Sequence, residues 1–255
     1  MSYNPAYNPF SLVGKTVLIT GASSGIGRAT AIECSKMGAA CVITGRNKER
    51  LQSTFDLLEP VGLHQQIVGD LTIPTDLDNL VASVPLLDGL VNNAGISFTK
   101  PIGFLKHEDI QRVYETNLYA PMMLTNNLLK KKKLAKDSSV VFISSTAAFG
   151  CSNANSTYGT AKAALSDFMH YCNKEITPVK HIRFNAIHPG MVRTELLANL
   201  TFTDEELQKD MARYPLGRYG EPTDIANAII YLLSNASAWV SGVSLVIDGG
   251  LMNRI

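Results

Sequence analysis

Short runs of apolar, β-branched residues alternate along this chain with segments whose apolar positions recur every three to four residues. These are the periods of a buried strand and of an amphipathic helix. TVLIT from Thr16 is followed by helical spacing over 26–37, ACVITG from Ala40 by 48–59, and QQIVGD from Gln65 by 75–84. The alternation continues through DGLVNNAG from Asp88, a helical region from Glu108 to about Lys132, SSVVFISS from Ser138, a helix from Tyr158 to Lys174 and HIRFNAIHPG from His181. Pro121 marks a kink or a boundary inside the long helical region. EPTDIANAIIYLLSN reads as a Pro-started helix and VSLVIDGG as a last strand. Repeated βαβ units predict an α/β fold, a doubly wound parallel sheet of seven strands with helices on both faces. Ligands bind such sheets outside the carboxyl ends of the strands, where the strand order reverses. The irregular, Met-containing stretch at about 191–215 is expected to form a substrate lid.

Composition narrows the picture. A 255-residue chain that is 45% hydrophobic can bury a large core, and its glycines and prolines do not gather into a linker, so one domain over 1–255 is expected. A net charge of +1 supplies no broad positive field for nucleic acid or a membrane surface. There is no basic, apolar start of signal-peptide type and no apolar run of 18 residues, which reads as a soluble cytoplasmic protein. Cys34, Cys41 and Cys172 fall in apolar patterns where reduced, buried thiols are expected, and Cys151 would line the substrate mouth or pack beside it. The five histidines show no metal-ligand spacing.

Three features carry chemistry. TGASSGIG, from Thr20 to Gly27, joins the first strand to the first helix. Its glycines allow a tight turn and a close approach of backbone to a pyrophosphate at a helix N-terminus, although such turns also serve for close packing alone. Tyr158 and Lys162 are four residues apart in STYGTAKAAL, which on a helix puts phenol and ammonium on one face about 6 Å apart along the axis. A cation about 5 Å away at an effective dielectric near 20 would favour phenolate by about 3 kcal/mol, roughly two pK units. Alone, the pair also fits a surface aromatic with a snorkelling lysine. Ser145 stands thirteen residues upstream of Tyr158, and its hydroxyl suits donation to a carbonyl oxygen on which charge develops.

The G-x-x-x-G-x-G turn, NNAG at 92–95, the Ser145/Tyr158/Lys162 spacing, the PG of HPGMVRTE and the terminal DGG together resemble the short-chain dehydrogenase/reductase family, over about 14–250. The resemblance implies a Rossmann fold and hydride transfer between nicotinamide and a ketone or secondary alcohol, without a metal. It implies Asn117, Ser145, Tyr158 and Lys162 as the catalytic set. Tyr158 would exchange the proton with the alkoxide. Lys162 would lower the Tyr158 pKa and bind the nicotinamide ribose, and Asn117 would hold a bend in its helix and anchor a water leading from Lys162. Cofactor contacts are implied at Gly21, Ser23, Ser24, Gly25, Ile26 and Gly27, at Asp70 and Leu71 near the adenine, and at Asn93, Ala94 and Gly95, where the segment from Asn92 would stabilise the sheet edge. Pro189, Gly190, Val192 and Thr194 would meet the carboxamide. Asp70 also fits a plain turn cap, and HPG a plain turn.

Relatives that prefer NAD carry a carboxylate where Gly45 stands. Its absence, with the guanidinium of Arg46 and the amide of Asn47 beside it, predicts NADP(H). Overall the chain looks closest to the 3-oxoacyl-thioester reductase branch, with steroid, polyol or small-alcohol dehydrogenases as the alternative and a dinucleotide-binding sensor or scaffold as the non-enzymatic one. The run KKKKLAK, Lys130 to Lys136, reads as a solvated helix end or as a dock for an acyl carrier protein. A homotetramer is implied by the resemblance alone.

Overall fold

A computed structural model describes residues 7–150, 152–194 and 203–254. Cys151 and the 195–202 part of the expected lid lie outside the described residues. Seven parallel strands form the sheet: β1 Thr16–Thr20, β2 Ala40–Gly45, β3 Gln65–Val68, β4 Leu87–Asn92, β5 Leu134–Ile143, β6 Arg183–Pro189 and β7 Ser244–Ile247, in the order β3-β2-β1-β4-β5-β6-β7. The helices are α1 Gly25–Lys36, α2 Lys48–Phe55, α3 Pro74–Ser83, α4 His107–Tyr114, α5 Ala120–Lys130, α6 Ser156–Lys180, α7 Asp204–Met211 and α8 Pro222–Leu233. Among the described residues no helix is long and apolar enough to cross a membrane.

Alternation along each strand feeds two cores. Val17 and Ile19 of β1, Cys41 and Ile43 of β2 and Val91 of β4 pack with Ala31 and Cys34 of α1 and Ile225 and Ile229 of α8. Leu18, Val42, Leu90 and Phe142 face the other way, toward Leu80 of α3, Leu124 of α5 and Leu165 of α6. Pro74, Pro121 and Pro222 sit in the first turns of α3, α5 and α8, where a missing N–H costs no hydrogen bond.

The pattern misplaces three features. β5 begins at Leu134, not Ser138; Lys136 and Asp137 interrupt the apolar signal, and the pairing shifts register between Leu87 and Gly89 of β4. The break in the long helical region precedes Pro121: Glu115–Tyr119 is a π turn joining α4 to α5. The strand before NNAG, finally, is the central strand of the sheet and not an edge.

Candidate active site

The chain leaves β1 for one edge of the sheet and returns to β4 beside β1, so the order reverses between these two strands. The glycine-rich turn and NNAG meet at that point. Gly21 adopts φ +65, and a Cβ there would stand 2.8 Å from Ala94 Cα. A Cβ on Gly27 would come within 2.3 Å of the Gly21 carbonyl and 2.5 Å of Asn93 Nδ2, so only glycine lets α1 start this close to the turn. The Asn93 side chain donates to the carbonyls of Thr20 (2.9 Å) and Gly21 (3.3 Å). Thr20, which the motifs did not single out, accepts from the amides of Asn93 (3.0 Å) and Ala94 (2.9 Å) through its buried hydroxyl. Its sequence signal was its place as the polar residue that closes TVLIT and opens TGASSGIG. Ser24, the N-cap of α1, makes no side-chain cap, and the first turn holds no acidic residue. These uncapped amides at a positive helix end suit a pyrophosphate.

The implied catalytic residues converge beyond the carboxyl ends of β4 and β5. Asn117, fully buried in the π turn, clasps Ile96 from both sides: its Oδ1 accepts from the Ile96 amide (2.8 Å) and its Nδ2 donates to the Ile96 carbonyl (2.9 Å). The clasp draws Gly95 in, so that a Cβ at Gly95 would lie 2.9 Å from Asn117 Oδ1 and 3.4 Å from Lys162 Nζ. Lys162, 4% exposed, donates to the Ile143 carbonyl (2.8 Å), and its ammonium is 5.8 Å from the centre of the Tyr158 ring. Ser145 follows β5 as the N-cap of a short 3-10 turn; its Oγ accepts from Ala147 N (3.1 Å) and lies close enough to Tyr158 to act on its phenol. Ser144 points instead into the core, donating to the Lys162 carbonyl (2.9 Å) and accepting from Ser166 (3.0 Å).

The electrostatics reverse one expectation. Burial pushes the Tyr158 phenol above its ordinary value, opposed by the hydrogen bond with Ser145, and burial brings Lys162 down to about 8. The i, i+4 spacing places the two side chains as predicted. It could not register that both would be desolvated, which disfavours phenolate and ammonium alike.

At the tip of β2, Arg46 faces Asp70 across 3.6 Å, and Asn47 caps α2 by accepting from Arg50 N (2.8 Å). Burial would raise Asp70, but the amide and hydroxyl of Thr72 and the Arg46 guanidinium hold it below the usual carboxylate range. Gly45 lies over Ser23: a Cβ there would be 3.2 Å from Ser23 Oγ. Leu71 follows Asp70 in the same turn. On the opposite side Pro189 ends β6, Gly190 packs on Asp248, Val192 bridges to Gly220, and the Thr194 methyl would stand 3.1 Å from a Cβ at Gly25. The lysine run lies elsewhere. Lys130 ends α5, and Lys133 donates to the Val84 carbonyl beyond α3 (2.6 Å), at the amino end of β5. Ten residues of strand at about 3.3 Å each separate that end from Ser145 by about 30 Å. Among the described residues no three His, Cys, Asp or Glu side chains gather as metal ligands.

Known proteins match over nearly the whole chain. A family model described as enoyl-(acyl carrier protein) reductase matches residues 21–252. The 3-oxoacyl-[acyl-carrier-protein] reductase FabG of Rickettsia bellii is 33% identical over 242 residues, covering 94% of this chain and 98% of that protein. Among solved structures, a protein described as an NAD(P)-dependent gluconate 5-dehydrogenase from Beutenbergia cavernae, with NADP at low occupancy, superposes with a TM-score of 0.87 at 30% identity, covering 97% of this chain and all of that one. An actinorhodin polyketide ketoreductase with NADPH gives 0.86 at 28% identity, covering 94% and 98%. Matched over 21–252 by that family model, and carrying the glycine turn, the clasped Gly95 and the Ser145–Tyr158–Lys162 group at the carboxyl ends of its strands, the chain belongs to the short-chain dehydrogenase/reductase family, whose oxidoreductases exchange carbonyl and alcohol with a nicotinamide dinucleotide.

Proposed function

We propose that this protein is an NADP(H)-dependent reductase whose substrate is a 3-oxoacyl thioester, with Asn117, Ser145, Tyr158 and Lys162 as its catalytic set. The observation that carries the reading is the buried Lys162, whose ammonium stands 5.8 Å from the centre of the Tyr158 ring with Ser145 at the adjoining end of β5. Ser145 Oγ accepts from Ala147 N, so its single proton can turn from the Tyr158 phenol to a bound substrate carbonyl without leaving the Ala147 amide unpaired. Tyr158, whose pKa burial raises, remains protonated at neutral pH and can deliver its proton to the forming alkoxide. Lys162 contributes positive charge at the same place, and Asn117 keeps Gly95 against it. Bound NADP(H) supplies or accepts the hydride.

The turn from Gly21 to Gly27, including Ser23, Ser24, Gly25 and Ile26, would hold the pyrophosphate, and Asp70 and Leu71 the adenine. Asn93 and Ala94 would flank the ribose; Pro189, Gly190, Val192 and Thr194 would meet the carboxamide, and Tyr158 and Lys162 the nicotinamide ribose. Arg46 would turn from Asp70 to a 2′-phosphate, joined by Asn47; at 3.6 Å and 63% side-chain exposure the ion pair is weak enough to exchange. A substrate lid over about 191–215, a single domain, a cytoplasmic homotetramer and substrate delivery by an acyl carrier protein complete the reading. The FabG relatives favour the thioester; the gluconate 5-dehydrogenase neighbour keeps a polyol as the second reading.

The test compares specificity constants for NADPH and NADH, using acetoacetyl and gluconate-type substrates, in wild type and in Gly45→Asp/Arg46→Ala. Preference for NADPH with the thioester, reversed in the double variant, supports the reading. Wild-type preference for NADH, or turnover of the polyol alone, overturns it. Gly45→Asp must also displace Ser23 by a few tenths of an ångström, so the variant should bind both cofactors somewhat less tightly.

A further inference from the structure

His188, in NAIHPG, is fully buried at the end of β6, and neither the motifs nor the proposed chemistry assign it a task. The β5–β6 ladder closes with the Ser144 amide donating to the Ile187 carbonyl (2.8 Å), and Pro189 has no N–H with which to extend it. The imidazole takes over from the backbone. Its Nδ1 lies 3.1 Å from the Ser145 carbonyl, which can only accept, so Nδ1 carries the proton. Its ring stacks on Phe149, with centroids 4.3 Å apart and planes at 30°. One side chain therefore grips both ends of the loop 145–149, from which Ser145 reaches Tyr158. Among the described residues Nε2 has no hydrogen-bond partner; as a bare acceptor it is a cheaper orphan than an N–H would be. Burial lowers the His188 pKa, the Ser145 carbonyl opposes this, and the nearby charges of His170 and Lys162 add to the lowering, so the ring is held neutral.

We propose that His188 is a positioning residue for Ser145: its Nδ1–H bond to the Ser145 carbonyl and its stack on Phe149 fix the serine hydroxyl in reach of the substrate carbonyl. The proposal rests on Ser145 acting as the donor proposed above. A misplacement of about 1 Å at a reacting centre costs up to roughly 100-fold in rate. Accordingly His188→Leu should lower kcat roughly 10- to 100-fold while leaving the cofactor Kd within about twofold. Asn places an N–H near the Nδ1 position, so His188→Asn should recover kcat to within about threefold of wild type. His188→Ala removes the same donor without adding bulk and serves in place of His188→Leu if that variant does not fold.

The decisive measurement is a double-mutant cycle with Ser145→Ala. If His188 acts through Ser145, its loss costs nothing further once the hydroxyl is gone. Additive losses, or a folded His188→Leu with wild-type kcat, overturn the proposal, as does an Asn variant no better than Leu. A Ser145→Ala variant with undiminished rate would instead remove the role of Ser145, and with it the proposed function. In the unaltered protein, imidazole ¹⁵N shifts, assigned by the signal lost in His188→Asn, should show Nδ1 protonated and Nε2 bare; the opposite tautomer refutes the proposal whatever the rates of the variants.

Discussion

Lys162 and Arg183 are both buried cations whose recorded hydrogen bonds go to carbonyl oxygens rather than to carboxylates, and they serve opposite ends of the sheet. Arg183, at the amino end of β6, donates to the carbonyls of Val240 (3.0 Å) and Leu232 (2.7 Å). Ser139 (2.7 Å) and Ser237 (3.1 Å) also donate to the Leu232 carbonyl, and Lys15 to that of Leu233 (3.1 Å). The last turn of α8 is thus saturated with donors, two of them cationic, as its dipole favours. At the carboxyl end, Lys162 makes one side-chain hydrogen bond among the described residues, to Ile143, although an ammonium has three to give. One region spends its buried charge on holding a helix end. The other keeps capacity in reserve, and a binding site requires such reserve.

The largest expected effect breaks the site end alone. Tyr158→Phe should cost about 10² to 10⁴ in kcat, the range for losing a general acid. Its melting temperature and cofactor affinity should remain near wild type, and a variant with normal turnover would remove Tyr158 as the proton donor.

Exchanging the two cations for methionine sharpens the contrast. Lys162→Met should weaken the cofactor and slow turnover while leaving stability equal or higher, because burial penalises the charge it removes. Arg183→Met should do the reverse, destabilising by about 1–3 kcal/mol as buried carbonyls lose their donor, with kcat little changed. Thermal melts and steady-state kinetics on both variants check this; equal melting shifts would erase the distinction.

A titration reads the same asymmetry. Lys162 falls from 10.5 in the unfolded chain to about 8 in the folded protein, so between those values the unfolded chain binds the extra proton. The penalty for burying the charge is complete below about pH 8 and is relieved as pH rises toward 10.5, so this group's contribution to stability increases with pH. Function should move the other way: if the ammonium is required, kcat/KM for reduction falls above about pH 8. A profile flat through pH 9 would show that the charge on Lys162 is dispensable.

The smallest effect is expected at the lysine run. Replacing Lys130 to Lys133 by Gln should alter KM for carrier-bound and free thioester substrates equally, since the run lies about 30 Å from Ser145. A selective rise for the carrier-bound substrate would support the run as a carrier dock.

Strands, helices and the glycine turn were legible because their signals are local: period 2 or 3.6, and a Gly wherever backbone meets backbone. That the proposed site residues would lie near one another was legible for a related reason, since Tyr158 and Lys162 share a helix turn and Ser145 follows the end of a strand. What stayed hidden depends on which strands become neighbours. The sequence cannot show that Arg46 meets Asp70, that His188 meets the Ser145 carbonyl, or that the lysine run falls at the far end of β5. It also misdirected the electrostatics of Tyr158, because a distance can be estimated from spacing and the surrounding dielectric cannot.

The π turn Glu115–Tyr119 has a consequence for how such a site can change by descent. A π turn is an α-helix with one residue too many, and the surplus is housed where Asn117 reaches Ile96. Deleting one codon in 115–119 would restore an unbroken α-helix from α4 into α5 and remove the bulge that presents Asn117 to Ile96. The clasp on Ile96 is therefore one single-residue deletion away from being lost.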